Sequence, residues 1–243
     1  MASTTFVDEF MTPLLVGHRT TCRRFVQRKI DEFESIERVY HELMWPAMER
    51  VEKLYRADRI NTATEHMATR INRCIADQLQ LSLPTAPANG KRIVIACAND
   101  EPEELGGQMC ADLFESRGWE VFYLGGGVPN DEILTLLGQL RPDMLLVFGT
   151  RPQGVPSVRQ LVDMIREINV NPTMNIMVSG GVFNRADGLW KEVNADIFAK
   201  SAAEALDTAE TATPRVAPPP KASGVKKRRR RRRAPELATA EAS

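Results

Sequence analysis

The chain of 243 residues has an ordinary apolar content of 43%, which gives room for one large domain or two small ones. Its formal charge of zero is uneven: residues 211–243 hold 10 of the 32 Lys and Arg but 2 of the 32 Asp and Glu, leaving −8 on the body and +8 on the tail. These features exclude a basic nucleic-acid-binding core, a spanning helix of roughly 20 apolar residues and, with Cys22, Cys74, Cys97 and Cys110 scattered, a disulfide framework.

Residues 1–12 read as irregular. The opening "MASTTFVDEFMTP" lacks the basic region and apolar core of a signal peptide, and with four free thiols this implies a cytoplasmic protein. From Leu14 to Leu83 the pattern is helical. In "SIERVYHELMWPAMERVEKLY" the apolar residues Ile36, Val39, Tyr40, Leu43, Met44, Ala47, Met48, Val51, Leu54 and Tyr55 share one helix face. Pro46 inside this run should start a new helix or kink the existing one. Met67, Ile71, Cys74, Ile75 and Leu79 mark a further helix, and a weaker run joins Phe25 to Phe33. Residues 14–83 thus predict a bundle of about four helices.

"LPTAPANGK", residues 83–91, is a linker by composition. Short apolar runs then alternate with amphipathic ones: "RIVIAC", "WEVFYL", "DMLLVFG", "NIMVSG" and "DIFA", each followed by a helical stretch. Five such units over 91–210 predict a doubly wound, flavodoxin-like α/β domain with a parallel sheet. Ligands in such folds sit at the carboxyl ends of the strands. From Thr211 the chain is Pro- and Ala-rich and ends in a basic run, Lys226 to Arg233. The segment 211–243 reads as disordered. The basic run is either a solvated end or an arm for nucleic acid or another polyanion.

Two stretches carry chemistry or a bland alternative. In "CANDEPEELGG", Glu101, Glu103 and Glu104 are predicted at the first turn of a helix, where carboxylates suit the positive dipole end. The same charges argue against a phosphate there, and "LGGGVP" is not a dinucleotide fingerprint. In "RINTATEHMATR", Thr62 and Glu65 fit a capping box, which would leave Glu65 a cap and His66 a partly exposed residue. His18, His41 and His66 have no ligand-type partner at metal spacing, and no catalytic triad stands out.

Over about residues 14–210 the chain resembles the cobalamin-binding module of corrinoid methyl carriers and of light-sensing, B12-dependent regulators. "MWPAMERVEKLYRADRINTATEHMATRI" is similar to the family's stretch with an aromatic residue ten positions before a Glu-His pair, here Tyr55, Glu65 and His66. The resemblance implies that these cover the upper face of a corrin. The family's D-x-H-x-x-G aligns with Glu101-Pro102-Glu103-Glu104-Leu105-Gly106, so Glu103 stands where the cobalt-binding histidine is usual and Glu101 where an aspartate orients it. Thr150 matches a residue lining the pocket of the nucleotide tail, and Phe148 occupies a position where serine is usual. Gly180 and Gly181 match the glycine pair that lets the backbone approach the benzimidazole.

The resemblance implies cobalamin as cofactor and a sensor or regulatory module without its own catalysis. It would act through a protein partner or a second copy, since no DNA-binding domain precedes the bundle. The alternatives are a corrinoid carrier for methyl transfer and a cofactor-free descendant that keeps the fold for protein contacts.

Overall fold

The structure, a computed structural model, describes residues 2–99, 101 and 104–216. Its first half is helical. α1 (Ala2–Leu15) packs with α2 (Arg19–Phe33). The stretch expected to be irregular over 1–12 is therefore helix from Ala2. Val7, Phe10, Met11 and Leu14 recur at three-and-four spacing and are all buried in the bundle, and that burial outweighs the poor helix propensity of the Thr-rich start.

α3 (Ile36–Val39) begins at Ser35, whose hydroxyl accepts the Arg38 amide at 3.3 Å. It continues through one π turn, Tyr40–Met44, into α4 (Trp45–Arg56). Pro46 accounts for the turn. It has no N–H to return to the Glu42 carbonyl, and a wider turn absorbs the misfit. Val39, Met44 and Trp45 keep right-handed helical dihedrals, so the segment neither breaks nor restarts. α5 (Thr62–Gln80) is capped by Asn61, whose Oδ1 accepts the Thr64 amide at 2.9 Å. The predicted capping box is therefore corrected. The cap lies one residue before Thr62, and Glu65 is 7% exposed rather than turned back to the helix end.

The second half alternates strands and helices. In order they are β1 (Arg92–Cys97), α6 (Leu105–Ser116), β2 (Glu120–Gly125), α7 (Asn130–Leu140), β3 (Met144–Phe148) and α8 (Val155–Ile168). β4 (Asn175–Ser179), α9 (Gly181–Arg185), α10 (Leu189–Glu192), β5 (Ile197–Ala199) and α11 (Ala202–Thr211) follow. All pairings are parallel, in the order β2-β1-β3-β4-β5, the flavodoxin-like arrangement whose strand order reverses between β1 and β3. Strands buried on both faces read as apolar runs, yet alternate side chains still part company. Ile93, Ile95 and Cys97 join the core shared by α6, α11 and the helical bundle, whereas Val94 and Ala96 join the core under α7 and α8.

Polar contacts fasten the bundle to α6. Tyr40 Oη lies 2.9 Å from Asp112 Oδ2 and 3.1 Å from the Ala76 carbonyl, and Gln108 donates to Asp77 at 2.6 Å. The guanidinium of Arg117 donates to Glu37 through two 3.1 Å bonds. After α11 the chain is anchored at the amino ends of β4 and β5. There the Arg215 amide donates to the Thr173 carbonyl at 3.0 Å, its guanidinium pairs with Asp196 at 3.2 Å, and Asn175 donates to the Thr213 carbonyl at 2.9 Å. No helix among the described residues is long and apolar enough to cross a membrane. The basic run from Lys226 to Arg233 lies outside the described residues.

Candidate functional site

A cavity of about 940 Å³ opens between α4 and α5 of the bundle and the carboxyl ends of β3 and β4. Both halves of the chain wall it. α4 contributes Trp45, Glu49, Glu52 and Tyr55, and α5 contributes Glu65, Thr69 and Asn72. Facing these are Phe148, Thr150, Arg151, Gly180 and Gly181. The cavity lies at the carboxyl edge of the parallel sheet, the side on which such folds bind ligands.

The polar groups on the bundle side come from one helix face. Glu65, Thr69 and Asn72 stand at i, i+4 and i+7 of α5. Thr69 Oγ1 donates to Glu65 Oε1 at 3.1 Å. Asn72 is 1% exposed, and its Oδ1 has no hydrogen-bond partner. An orphaned buried acceptor costs roughly 1–3 kcal/mol, so its position on a cavity wall marks a place for a ligand donor. On α4, burial pushes the Glu49 carboxyl up, against a 2.9 Å bond from the Trp45 indole N–H that holds it down. The Tyr55 hydroxyl is 3.3 Å from Thr62 Oγ1.

His66 does not share this cavity. Its side chain is 64% exposed, 3.6 Å from Glu65 Oε2, and it is absent from the lining. Adjacent helix residues point about 100° apart, and here that turns His66 away from the wall that Glu65 joins.

The predicted acidic turn is also rearranged. α6 starts at Leu105, and Glu104 precedes it without a capping bond from its side chain. Glu104 instead reaches across to accept the Gly126 amide at 2.7 Å and pairs with Arg73 at 3.6 Å. Glu101 is 6% exposed. Its two oxygens accept the Thr150 amide at 2.5 Å and the Thr150 hydroxyl at 2.7 Å. It therefore ties the loop after β1 to the loop after β3. Glu103 lies outside the described residues.

The glycines expected to make room are in place, but the room is taken. A Cβ on Gly106 would lie 2.2 Å from Phe148 Cζ. The Phe148 ring fills that space, 1% exposed and edge-on to Trp45 with centroids 6.2 Å apart. A Cβ on Gly180, at φ +104, would meet the Gly149 carbonyl at 2.3 Å, and one on Gly181 would meet Arg185 Nη1 at 2.6 Å and Glu52 Oε2 at 2.7 Å. Arg185 pairs with Glu52 of the bundle and also donates to the Thr150 carbonyl. Sequence reading missed Asn72, Glu49 and the Glu52–Arg185 pair. Only the polar stripe on α5 carried a signal for one of them.

Two family profiles match the chain. One, described as a B12 binding domain, covers residues 91–210, and a second with the same description covers residues 9–80. The chain belongs to the B12-binding family. Cobalamin is the cofactor of both matched domains. The curated proteins similar to this chain include dimethylamine corrinoid protein 3 of Methanosarcina mazei, 23% identical over 53% of this chain and 77% of that one. They also include the HTH-type transcriptional repressor CarA of Myxococcus xanthus, 31% identical over 40% of this chain. The aligned part spans only 33% of that repressor. Among solved structures, the Methanosarcina barkeri monomethylamine corrinoid protein superposes with a TM-score of 0.76 at 15% identity, covering 85% of this chain and 97% of that one.

Part of the B12-binding site fits the cofactor and part does not. A corrin is a flat apolar macrocycle edged with amides. The cavity offers aromatic walls in Trp45, Tyr55 and Phe148, and polar groups in Glu65, Asn72 and Arg151. The orphaned Asn72 oxygen suits an amide N–H. A histidine ligand to cobalt does not fit. His18 precedes α2, His41 lies in the π turn and His66 is turned outward. Among the described residues no group of three or more His, Cys, Asp or Glu converges to hold a metal. Cys97 is buried and does not line the cavity.

Proposed function

We propose that this chain is a corrinoid receptor. It holds cobalamin by the ring in the cavity between its two halves and passes on the occupancy to a partner, without catalysis of its own. The observation that supports this most is the make-up of the wall. Both halves contribute binding groups, and neither contributes an imidazole or a thiolate. The ligand therefore adds contacts across the junction that Glu52 and Arg185 already bridge, so its binding changes how firmly the halves hold together.

Cobalamin supplies a cobalt centre with an exchangeable upper ligand. Tyr55, Glu65 and Asn72 would hold the ring from the bundle side, and Thr150 and Arg151 from the sheet side. The regulatory half of the reading is supported by the segment that is 31% identical to CarA. The carrier alternative is supported by the similarity to dimethylamine corrinoid protein 3.

The test begins with the full chain, mixed with hydroxocobalamin and desalted. A corrinoid spectrum at stoichiometric level and a raised melting temperature are expected. A flat visible spectrum would leave only the cofactor-free reading. The protein is then loaded with methylcobalamin and offered homocysteine with an added cobalamin-dependent methyltransferase. Retention of the methyl group is expected, and its loss at turnover rates would replace the receptor with a carrier.

A further inference from the structure

Three contacts close the space behind the cavity, between α6 and the carboxyl ends of β1, β3 and β4. The first is the Phe148 ring. It occupies the volume in front of Gly106 so completely that a single methyl there would sit 2.2–2.9 Å from three ring carbons. An aromatic ring seated on a glycine and braced by Trp45 is a packed element of the core, not a side chain parked in an open channel. The second is the Glu101 carboxylate, which spans from the β1 loop to both the amide and the hydroxyl of Thr150. The third is the Glu52–Arg185 pair, which covers Gly181 and is held to the Thr150 carbonyl by a second guanidinium nitrogen.

Each closure uses a residue that a binding slot would leave small or free. The glycines at 106, 180 and 181 keep the backbone shape of a slot, and the side chains of Phe148, Glu52 and Arg185 take up its interior. An aromatic base on a ribose-phosphate strap could enter only by displacing a fully buried phenyl ring, and opening a buried core of this kind is costly.

From this geometry we propose that the chain recognises a corrinoid by its ring alone and excludes the nucleotide tail. Phe148 is the specificity-determining plug, and the Glu52–Arg185 pair is the latch over it. The ligand class is then any corrin with intact peripheral amides, whatever its lower nucleotide, including corrinoids that have none. The proposal rests on the corrinoid reading above, and the experiment separates the two.

The full chain is titrated in parallel with hydroxocobalamin and with diaquocobinamide, the same ring without the nucleotide, and binding is followed by absorbance and by calorimetry. Cobinamide should bind no more than threefold weaker than cobalamin. A preference of tenfold or more for cobalamin would overturn tail exclusion and leave the corrinoid reading intact. Absence of binding by either would overturn both. In Phe148→Ser the slot is opened, and the ratio of the two affinities should move at least fivefold toward cobalamin. An unmoved ratio in a folded variant would remove Phe148 as the plug. Should that variant not fold, Arg185→Ala opens the slot from the partly exposed side. A shift toward cobalamin there supports the latch, and an unmoved ratio overturns it.

Discussion

Replacing Asp112 by asparagine tests the junction between the bundle and α6. Tyr40 Oη sits 2.9 Å from Asp112 Oδ2 and 3.1 Å from the Ala76 carbonyl. A phenol has one proton and cannot donate to two acceptors. The arrangement is satisfied if Asp112 is protonated and donates to Tyr40, which in turn donates to Ala76. Burial pushes Asp112 up from 3.8 to about 6, with Glu115 and Asp77 adding repulsion and the Tyr40 bond opposing. Because the native value is raised, the stabilisation from this group is complete below the unfolded value near 3.8. It is lost as pH rises through about 6. The difference amounts to roughly 3 kcal/mol, developing at up to about 1.4 kcal/mol per pH unit. Asparagine keeps the shape and a donor but cannot ionise. The variant should therefore melt several degrees above the wild type at pH 7.5, taking about 2–4 °C per kcal/mol for a chain of this size. At pH 4 the advantage should vanish. Thermal denaturation of both proteins across that range is the assay. A melting difference that is the same at pH 4 and pH 7.5 would refute the reasoning, because the titration would then belong to another group.

Three further outcomes are expected. Asn72→Leu removes an orphaned acceptor, so the ligand-free protein should gain up to about 1 kcal/mol while hydroxocobalamin binding weakens about tenfold; calorimetry and titration on one preparation check both. Gly106→Ala should destabilise by about 2–4 kcal/mol through overpacking against Phe148, with part of the loss recovered in Gly106→Ala/Phe148→Leu, read from denaturant midpoints. If the basic run binds polyanions and about six phosphates are neutralised, the full chain should bind duplex DNA with a log–log salt slope near −5. A chain truncated after Val216 should lose that binding.

The central strands β1, β3 and β4 were legible because they are buried on both faces. "MLLVF" and "NIMVS" are apolar throughout, and their loops supply the punctuation. α1 was not, because its apolar face of Val7, Phe10, Met11 and Leu14 is short and follows a Thr-rich start, so only tertiary burial reveals it. The cap of α5 slipped by one residue because Asn61 and Thr62 are both good caps, and local chemistry alone does not rank them. For the site, the motif residues Tyr55, Glu65 and Thr150 line the cavity, whereas the adjacent His66 faces outward. The Glu52–Arg185 contact joins residues 133 positions apart, and nothing local announces it. Phe148 could be read as large for its position, though only the structure shows which space it fills.

The anchoring of Arg215 has a consequence for traffic through the molecule. The chain passes Thr213 and Arg215 at the amino ends of β4 and β5, while the cavity opens at the carboxyl ends. A five-residue strand separates these rims by roughly 17 Å. The described chain thus ends on the rim opposite the crevice. The Arg215 anchor and a guest in the crevice therefore sit on opposite rims of one sheet. β4 joins the two rims, so substitutions at Ile176 or Val178 are where coupling between the anchor and the crevice should first be sought.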